Sequence, residues 1–526
     1  MKEEQNSTKH TLNHWQNFKL KLVFEGLVIG ILTGLVIVSY RLLLDSAFRL
    51  RGQLAEMARG NVLSIFFFLG GLIIIGWIVK TMVKKAPLIR GSGIPQVKGF
   101  LYRKLDMEWK GTLINKFFGG ILAVGAGLSL GREGPSIQIG GAIGKGFSDT
   151  FKRKKLEEKF LVTEGASAGL AAAFNAPLAG VMFSLEELHK NFSPIVLVSA
   201  LTASVTADFI SKSFVGIKPV FDFSGLQSLP LKYYLYILIL GIIMGVFGVA
   251  FNKAILLSQK YYKKKTIIPK KYKPYIPFVL AGIFAFVLPE VLGGGHFLID
   301  EMSHIGFSIQ FLLVLLLIKF LFTMICYGSG VPGGIFLPLL VIGAITGNIY
   351  GEILHQYLGL EATYINNMMI LAMAGYFTAT VRAPITGCIL ISEMAGSLQH
   401  LLPLSFISVV TYIVTDLMHS KPIYDSLLEI LERNNRNNFK SNADTKVLIE
   451  NVVCLGSESE GRMVKEINWP KKCLIVGIRR GDKEIIPKGD TVLQTGDLII
   501  ALTDEDIASE AVVNLSKITE VCKATE

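Results

Sequence analysis

Charged residues, cysteines and enzyme motifs are scarce in this sequence. Charged residues make up 18% of the chain, whereas about 25% is typical of soluble proteins. The five cysteines show no spacing typical of a metal site or of a disulfide framework. Neither a zinc-protease HExxH motif nor a phosphate-binding P-loop occurs. We therefore expect neither an enzyme nor a bound metal or cofactor.

Long apolar runs are abundant instead. Hydrophobic residues reach 51%, the mean hydropathy is +0.49, and several runs have about the 20 residues that a membrane-spanning helix needs. Residues 1–18 are polar and no small-residue cleavage site follows the first run, so we expect insertion without signal cleavage. The sequence predicts an all-α protein that crosses a membrane several times. The clearest runs are 22–43, 61–82, 232–254, 276–293 and 308–327.

Charge is distributed unevenly along the chain. Residues 444–526 carry 11 Lys and Arg against 15 Asp and Glu, a net charge of −4, so the remainder of the chain carries +16. The basic residues flank the apolar runs in short loops, and such loops usually lie on the cytoplasmic side of a membrane. They do not alternate with aromatic residues, so we do not expect a nucleic-acid partner. These loops are Lys84–Arg90, Lys152–Lys155, Lys263–Lys265 and Lys270–Lys273.

The sequence pattern changes after the last apolar run, which ends near Met418. We expect a membrane domain over 1–430, a polar, Asn-rich linker over 431–446 and a soluble α+β domain over 447–526. In the last domain the pattern predicts two strands, a hairpin and an amphipathic helix with an acidic first turn. These elements are the strands Val447–Leu455 and Cys473–Arg480, the hairpin Glu484–Pro487 with Thr491–Thr503, and the helix Asp504–Ile518.

Two segments of the membrane domain repeat each other. Residues 168–188 read AGLAAAFNAPLAGVMFSLEEL and residues 374–394 read AGYFTATVRAPITGCILISEM, so that Ala-Pro, Gly and Glu align at one offset of 207. Two homologous halves indicate a membrane architecture with its site at the interface between the repeats. A shorter echo pairs 141–143 with 343–345, and the repeats would cover about 20–215 and 230–420.

Three segments rich in Gly and Pro interrupt the apolar runs. Each would end one helix and begin another, because Pro suits the first helical turn and Gly permits unusual backbone dihedral angles. A helix that begins inside the membrane points unpaired N–H groups and about half a positive charge into the protein. Several such ends aimed at one point would make an anion site, to which Ser92 adds a hydroxyl group. The segments are Gly91–Pro95, Gly131–Pro135 and Gly333–Pro338.

Glu133 lies between small residues in the second of these segments. A carboxylate at membrane depth is costly and usually functional. Deprotonated, it would occupy the anion site; protonated, it would withdraw and carry a proton. The alternative is a surface carboxylate, or one that forms a salt bridge with Arg132. Four other charged residues have an ordinary interpretation as solvated charges near helix ends: Lys116, Glu186, Glu187 and Glu393.

Together these segments resemble the CLC family of chloride channels and proton–chloride antiporters. The motifs GSGIP, GREGP, AAFNAPLAG and GGIFLP occur in family order within residues 15–430. The resemblance implies a homodimer of subunits that each contain two inverted repeats and a separate pathway. It also implies that the hydroxyl groups of Ser92 and Tyr424 and the backbone amides of Ile335 and Phe336 coordinate chloride. Supporting positions are Gly91, Gly93, Pro95, Gly131, Arg132, Gly134, Pro135 and Gly334.

The same resemblance assigns proton roles to two glutamates. Glu133 matches the external gating glutamate, and Glu187 matches the internal proton-transfer glutamate that many antiporters carry and channels commonly lack. We therefore expect proton–chloride antiport, with a passive chloride channel as the alternative. Lys98 and Ser193 stand where the best-known bacterial antiporters carry an acid and an arginine. The resemblance therefore does not assign the route by which protons reach Glu187. A charged cluster near the internal proton entrance is matched by Lys116 and Glu186.

The tail, residues 447–520, resembles the TrkA-C domain, also called RCK-C, of potassium-uptake and related transport proteins. The residues that carry this resemblance are Ile485–Pro487 and Leu493–Ile499. Such domains dimerise and often bind small ligands, in some bacteria a cyclic dinucleotide; the alternative is a purely structural dimerisation module. The partners implied are chloride, protons, membrane lipid, a second subunit and a small regulatory ligand. The expected location is a bacterial cell membrane, with the tail in the cytoplasm.

Overall fold

The computed structural model describes residues 2–190, 192–217, 219–221, 223, 225–264, 269, 271–304, 306–435, 446–470, 472–481, 483–504 and 507–519. The chain forms two compact units. One comprises residues 1–430 without 102–104, and the other comprises 102–104 with 431–526.

The first half of the larger unit is a series of helices that begin and end at conventional signals. The Asn61 side chain accepts a hydrogen bond from Leu63 N at the start of one helix, and Pro177 and Pro194 each open another, because Pro suits a position where no N–H is needed. The helices are α1 Lys2–Ala58, α2 Val62–Lys85, α3 Ile94–Leu101, α4 Trp109–Gly125, α5 Glu133–Thr150, α6 Lys155–Phe174, α7 Pro177–Phe183 and α8 Pro194–Val215, and the single turn Ser184–His189 after α7 is π-helical.

The second half repeats the order of the first, with α11 to α15 corresponding to α3 to α7. Asn175 and Arg382, which end α6 and α14, both have a left-handed backbone, with φ of 53° and 68°. The offset of 207 between these two positions is the one that aligns the repeated segments. The helices are α9 Tyr234–Lys263, α10 Ile276–Val287, α11 His296–His304, α12 Ile309–Gly328, α13 Phe336–Leu358, α14 Ile365–Val381, α15 Pro384–Met394, α16 Leu401–Leu417 and α17 Ile423–Asn435.

Six helices in the described part of the chain are long and apolar enough to cross a membrane. Their outward faces expose large apolar side chains such as Phe66, Phe67 and Trp77 on α2, as expected where lipid is the solvent. The prediction of a multi-pass helical membrane protein is confirmed. The six spans are Leu20–Ala58, Val62–Lys85, Pro194–Val215, Leu231–Lys263, Ile309–Gly328 and Phe336–Leu358.

Two apolar runs are interrupted where the sequence pattern was continuous. The run 276–293 gives helix α10 only as far as Val287, because Pro289 cannot continue the helix. The repeat segment 168–188 is not one helix either, since the left-handed Asn175 separates α6 from α7. Both interruptions shorten helices inside the larger unit and so create additional helix ends there.

Small residues allow the inner helices to pack with their backbones in contact. Gly140 of α5 faces Gly165 of α6, and a Cβ atom on either glycine would overlap the carbonyl oxygen of the other. Such close packing is typical of membrane helices, which gain little from burying apolar surface against one another. It holds α5, whose first residue is Glu133, in a fixed position.

The smaller unit contains a four-stranded antiparallel sheet with strand order β1-β4-β2-β3. The predicted pairing of a hairpin between 484–487 and 491–503 is wrong, because β3 pairs with β2, through Ile478 opposite Ile485. The predicted linker lies partly outside the described residues; 431–435 continue α17 and Lys446 begins β1. The elements are β1 Lys446–Val452, β2 Cys473–Arg480, β3 Lys483–Ile485, β4 Leu498–Asp504 and α18 Ala508–Thr519.

An ion pair fixes the turn that precedes β4. Arg480 Nε and Nη2 each donate to one carboxylate oxygen of Asp497 at 2.8 Å, and Gln494 N donates to Asp497 Oδ2 at 2.9 Å. Burial alone would raise the pKa of Asp497, but the bonds from Arg480 and Gln494 outweigh it and hold this pKa below its usual value. The ion pair therefore contributes to the stability of the unit at neutral pH and loses that contribution when Asp497 is protonated in acid.

Candidate ion-binding site

The three Gly- and Pro-rich segments meet in space. Gly91 N donates to Val331 O at 3.1 Å, and Gly333 N donates to Gly91 O at 3.0 Å. Gly131 and Gly334 exchange both of their backbone hydrogen bonds, at 2.7 and 2.8 Å. These bonds bring the start of α3, with Pro95 in its first turn, beside the starts of α5 and α13. The first N–H groups of each helix have no carbonyl partner within their own helix, so the convergence concentrates free donors at one place.

Ser92 places a hydroxyl group at this convergence. Its side chain is buried, and its Oγ has no hydrogen-bond partner among the described residues. Gly91 and Gly93 on either side have φ of +62° and +99°, a left-handed region that side chains other than glycine rarely adopt. A Cβ atom at Gly134 would overlap Ser92 Oγ and lie 2.7 Å from Ser92 O. The glycines thus allow α5 to begin directly against the serine.

Tyr424 contributes a second buried hydroxyl group. It is the second residue of α17, its side chain is fully buried, and its Oη has no hydrogen-bond partner in the described part of the chain. It lies close enough to Tyr327, Glu187 and Glu133 to interact with them electrostatically. Tyr327 in turn covers Gly91, where a Cβ atom would lie 3.2 Å from Tyr327 Oη. Tyr424 and the Ser92 loop therefore have Tyr327 as a common neighbour.

Glu133 is the first residue of α5 and is completely buried. Its carboxylate interacts with the backbone amides of Glu133 itself and of Leu337, and no side chain among the residues described hydrogen-bonds to it. A Cβ atom at Gly131 would overlap Glu133 Oε2 and lie 3.1 Å from Leu337 N, so the carboxylate lies over the first turn of α13. Arg132 pairs instead with Asp45, at 3.5 Å. The carboxylate therefore faces the converging helix starts.

Ile335 and Phe336 form the start of α13, and both are fully buried. The Phe336 ring contacts three other aromatic rings, with centroid distances of 4.8 Å to Phe377, 5.3 Å to Phe174 and 6.3 Å to Phe183. This aromatic cluster fixes the first turn of α13. An ion at the helix start would thus meet preorganised amide donors with an apolar wall behind them.

Comparison with known proteins identifies the family. The profile of the family described as voltage gated chloride channel matches residues 70–416. The chain belongs to this family. Within this CLC family, the H(+)/Cl(-) exchange transporters ClcA of Vibrio campbellii and Vibrio cholerae are 34% and 35% identical to the chain, over 79% of its length and 90% of theirs.

Solved CLC structures have the same fold. A slow cyanobacterial Cl-/H+ antiporter superposes with a TM-score of 0.74 at 31% sequence identity, over 79% of this chain and 99% of that one. A CLC-type fluoride/proton antiporter superposes with a TM-score of 0.63 at 23% identity, over 77% and 97% of the two chains, which shows the shared fold. The TrkA-C domain profile matches residues 449–515, so the CLC domain is followed by a TrkA-C domain.

Glu187 of this CLC protein lies within the π-helical turn Ser184–His189 that follows α7. Such turns often occur at functional sites. Its carboxylate is buried and accepts a hydrogen bond from Lys98 Nζ at 2.6 Å. Lys98 is also 2.5 Å from Asp425, the residue after Tyr424. The sequence drew attention to Lys98 only as a departure from the family pattern, and it gave no signal that Asp425 would join it.

Lys116 supports the loop that carries Ser92. It is fully buried, and its ammonium group donates to Ile89 O at 2.9 Å and to Gly91 O at 2.7 Å. Lys319 makes the equivalent contacts in the other half, to Val291 O at 2.7 Å and Gly293 O at 2.8 Å. Both lysines therefore hold glycine loops at the start of a short helix, which sequence reasoning did not anticipate.

Glu186 and Glu393 cap helices in the opposite halves. Glu186 accepts hydrogen bonds from Ile385 N at 3.1 Å and Thr386 N at 2.7 Å, at the start of α15. Glu393 accepts them from Leu178 N at 3.1 Å and Ala179 N at 2.8 Å, at the start of α7. Each carboxylate satisfies amides that a helix start leaves unpaired, so this reciprocal contact locks the two repeats together.

Two further observations concern metal binding and a serine in a hydrolase-like motif. Within the described residues, no group of three or more His, Cys, Asp and Glu side chains could hold a metal ion. Residues 127–131 read Gly-Leu-Ser-Leu-Gly, the pattern of a hydrolase nucleophile, but the buried Ser129 Oγ pairs with Thr323 Oγ1 at 2.8 Å. The serine is thus hydrogen-bonded to a threonine and not to a base that could activate it.

Proposed function

We propose that this protein exchanges chloride for protons across a cell membrane. One observation carries the proposal: Ser92 Oγ and Tyr424 Oη are buried without hydrogen-bond partners among the described residues, and the buried Glu133 carboxylate lies against the backbone amide of Leu337 where three helix starts converge. Buried polar groups without partners are costly, and a bound ion is a common reason for them. The similarity to exchange transporters that carry protons and chloride supports the same choice of ions.

Chloride would bind between the hydroxyl groups of Ser92 and Tyr424 and the backbone amides of Ile335 and Phe336. These donors replace part of the hydration of the ion, while the helix starts supply partial positive charge. Binding by neutral donors is weak enough to permit release, which transport requires. The left-handed backbone at Gly91 and Gly93 and the close packing of Gly134 against Ser92 bring these donors together.

Glu133 would couple the two ions at the external side of this site. As a carboxylate it competes with chloride for the amide donors at the start of α13, because both are anions. When protonated it loses that attraction, leaves the donors to chloride and carries a proton. Glu187 would deliver protons to it from the cytoplasmic side. Each exchange cycle thus moves the two ions in opposite directions.

A flux measurement tests the proposal. In liposomes that contain the purified protein, an imposed chloride gradient is expected to drive protons uphill, measured with a pH electrode beside a chloride electrode. Glu133→Gln should leave chloride movement insensitive to pH and without proton movement, and Glu187→Gln should abolish proton movement alone. Asp416→Asn, which changes an exposed carboxylate at the end of α16, is the control. Chloride movement without uphill protons in the unaltered protein would identify a passive channel instead.

The proposal also covers the oligomeric state of the protein and the role of its C-terminal tail. We expect a homodimer in a bacterial plasma membrane, surrounded by lipid, with the TrkA-C domain in the cytoplasm, where a small ligand such as a cyclic dinucleotide regulates transport. Calorimetric titration of the full-length protein with cyclic dinucleotides should give a saturable heat. If no heat is detected and the exchange rate in liposomes is unchanged, this class of ligand is excluded.

A further inference from the structure

Four charged side chains form a row of ion pairs that runs from the buried Glu187 through Lys98 and Asp425 to Lys190 at the protein surface. Lys98 Nζ lies 2.6 Å from Glu187 Oε1 and 2.5 Å from Asp425 Oδ1. The second oxygen of Asp425, Oδ2, lies 2.5 Å from Lys190 Nζ. The contacts come from three separate elements, namely α3, the π-helical turn with the residue that follows it, and α17. One ammonium group thus bridges two carboxylates, and only one of those belongs to the site described above.

Access to solvent differs sharply along this chain. The Lys98 side chain is 0% exposed and that of Glu187 is 2% exposed, whereas Asp425 is 26% exposed and Lys190 is 44% exposed. Water can therefore reach Asp425, while Glu187 is shielded behind Lys98. A proton that enters by this network meets Asp425 first.

We propose that Asp425 is the carboxylate that takes protons from water and that Lys98 passes them to Glu187. This inference rests on the proposed role of Glu187 in proton transfer. Asp425 first binds a proton from water. Lys98 then gives one of its ammonium protons to the Glu187 carboxylate, and the neutral Lys98 amine takes the proton held by Asp425. Lys98 ends as an ammonium group and Asp425 as a carboxylate, and one proton has moved from water to Glu187.

The charges of the network suit this relay. Lys98, Asp425 and Lys190 are the charged groups that act on Glu187 from the elements packed against it. Every contact of the relay is within hydrogen-bond distance, which proton transfer between side chains requires. A buried ammonium group is costly alone but is stabilised between two carboxylates. Lys98 is therefore held in the one position from which it reaches both of its partners.

Selective loss of proton movement tests the relay. In the liposome assay, Asp425→Asn should keep chloride movement near the unaltered rate and slow proton movement at least about tenfold, the scale of losing a positioned proton donor. Asp425→Glu restores a carboxylate and should recover proton movement. Lys98→Met keeps the length of the side chain without its proton and should also slow proton movement. Asp416→Asn serves as the control for removal of a surface carboxylate.

The outcomes separate this inference from the proposed function. If Glu187→Gln stops proton movement while Asp425→Asn does not, protons reach Glu187 by another route and the relay is wrong. If Glu187→Gln itself leaves proton movement intact, the proposed role of Glu187 fails, whatever Asp425 does. A parallel loss of both ion movements in Asp425→Asn, or proton movement that Asp425→Glu does not recover, would also overturn the relay, because Asp425 would then have a structural role.

Discussion

Ser92 and Tyr424 each bury a hydroxyl group that no described residue hydrogen-bonds, and Glu133 buries a carboxylate that lies against the backbone amides of Glu133 and Leu337. Leaving a buried polar group unsatisfied costs about 1–3 kcal/mol, so the two hydroxyl groups would destabilise a protein without a ligand. A dehydrated anion removes that cost for the two hydroxyl groups, and the Glu133 carboxylate is an internal substitute for the same anion.

Gly134 makes this arrangement possible because any side chain there would collide with Ser92. We predict that Gly134→Ala weakens chloride binding about tenfold or more, because displacing the hydroxyl group would cost about 1.4 kcal/mol of binding, and so slows chloride movement when chloride is below saturation. Initial chloride efflux from liposomes measures it.

Gly70→Ala is the matched control for Gly134→Ala. A Cβ atom at Gly70, within helix α2, would meet no atom within 4 Å. Replacement of a helical glycine by alanine there is expected to stabilise the helix by about 0.5–1 kcal/mol and to leave chloride movement unchanged. Equal rates in the two variants would show that the contact between Gly134 and Ser92 does not shape the site.

The sequence could predict some of these residues and not others. Ser92 and Glu133 lie beside Gly and Pro within apolar runs, so local chemistry alone made them candidates. Tyr424 followed only from the family resemblance, because its surroundings are an ordinary helix start. Asp425 and its contact with Lys98 join positions more than 300 residues apart, and no local pattern records such a contact.

At the level of secondary structure, the candidate ion site is formed mainly by the ends of helices. Glycine loops start α3, α5 and α13 at one place, and each repeat supplies a buried lysine and a capping glutamate to hold such ends. Lys116 and Lys319 make the same pair of contacts to loop carbonyl groups. Only the loop held by Lys116 carries Ser92; the corresponding loop in the other half has Gly294.

This difference between the repeats gives a second prediction. Lys116→Met and Lys319→Met each remove the lysine's hydrogen bonds to two buried carbonyl groups, although Gly91 O keeps its bond from Gly333 N. Each loss should lower the free energy of unfolding by about 1–3 kcal/mol and so lower the melting temperature of the purified protein. Lys116→Met should in addition reduce chloride movement, because the Ser92 loop loses its support. Lys319→Met, measured in the same liposome assay, should transport normally once folded. A transport defect confined to Lys319→Met would refute this account of the two loops.

Elements were easier to predict than their ends and partners. Apolar runs gave the membrane helices because a span of suitable length has few alternatives. They did not reveal the break at Asn175, which depends on a left-handed residue. In the tail, β3 has only three residues and pairs with β2 across a turn at Gly481, a turn that the predicted hairpin ignored.

The whole molecule consists of two compact units, and every residue of the candidate ion site lies in the larger one. We predict that a chain ending after Asn435, which keeps α17, still exchanges chloride for protons with the same ratio of ions. A small ligand that alters the rate of the full-length protein should have no effect on this shorter chain. Flux measurements on both chains in liposomes check these expectations, and a changed ion ratio would show that the TrkA-C domain takes part in coupling.

Anomalous diffraction from crystals of the protein soaked in bromide tests the central claim most directly, because bromide replaces chloride and can be located unambiguously. We expect a bromide peak within hydrogen-bonding reach of Ser92 Oγ and Tyr424 Oη, beside the first amides of α13. A map with these hydroxyl groups bonded to other protein atoms, and with no bromide between them, would contradict it.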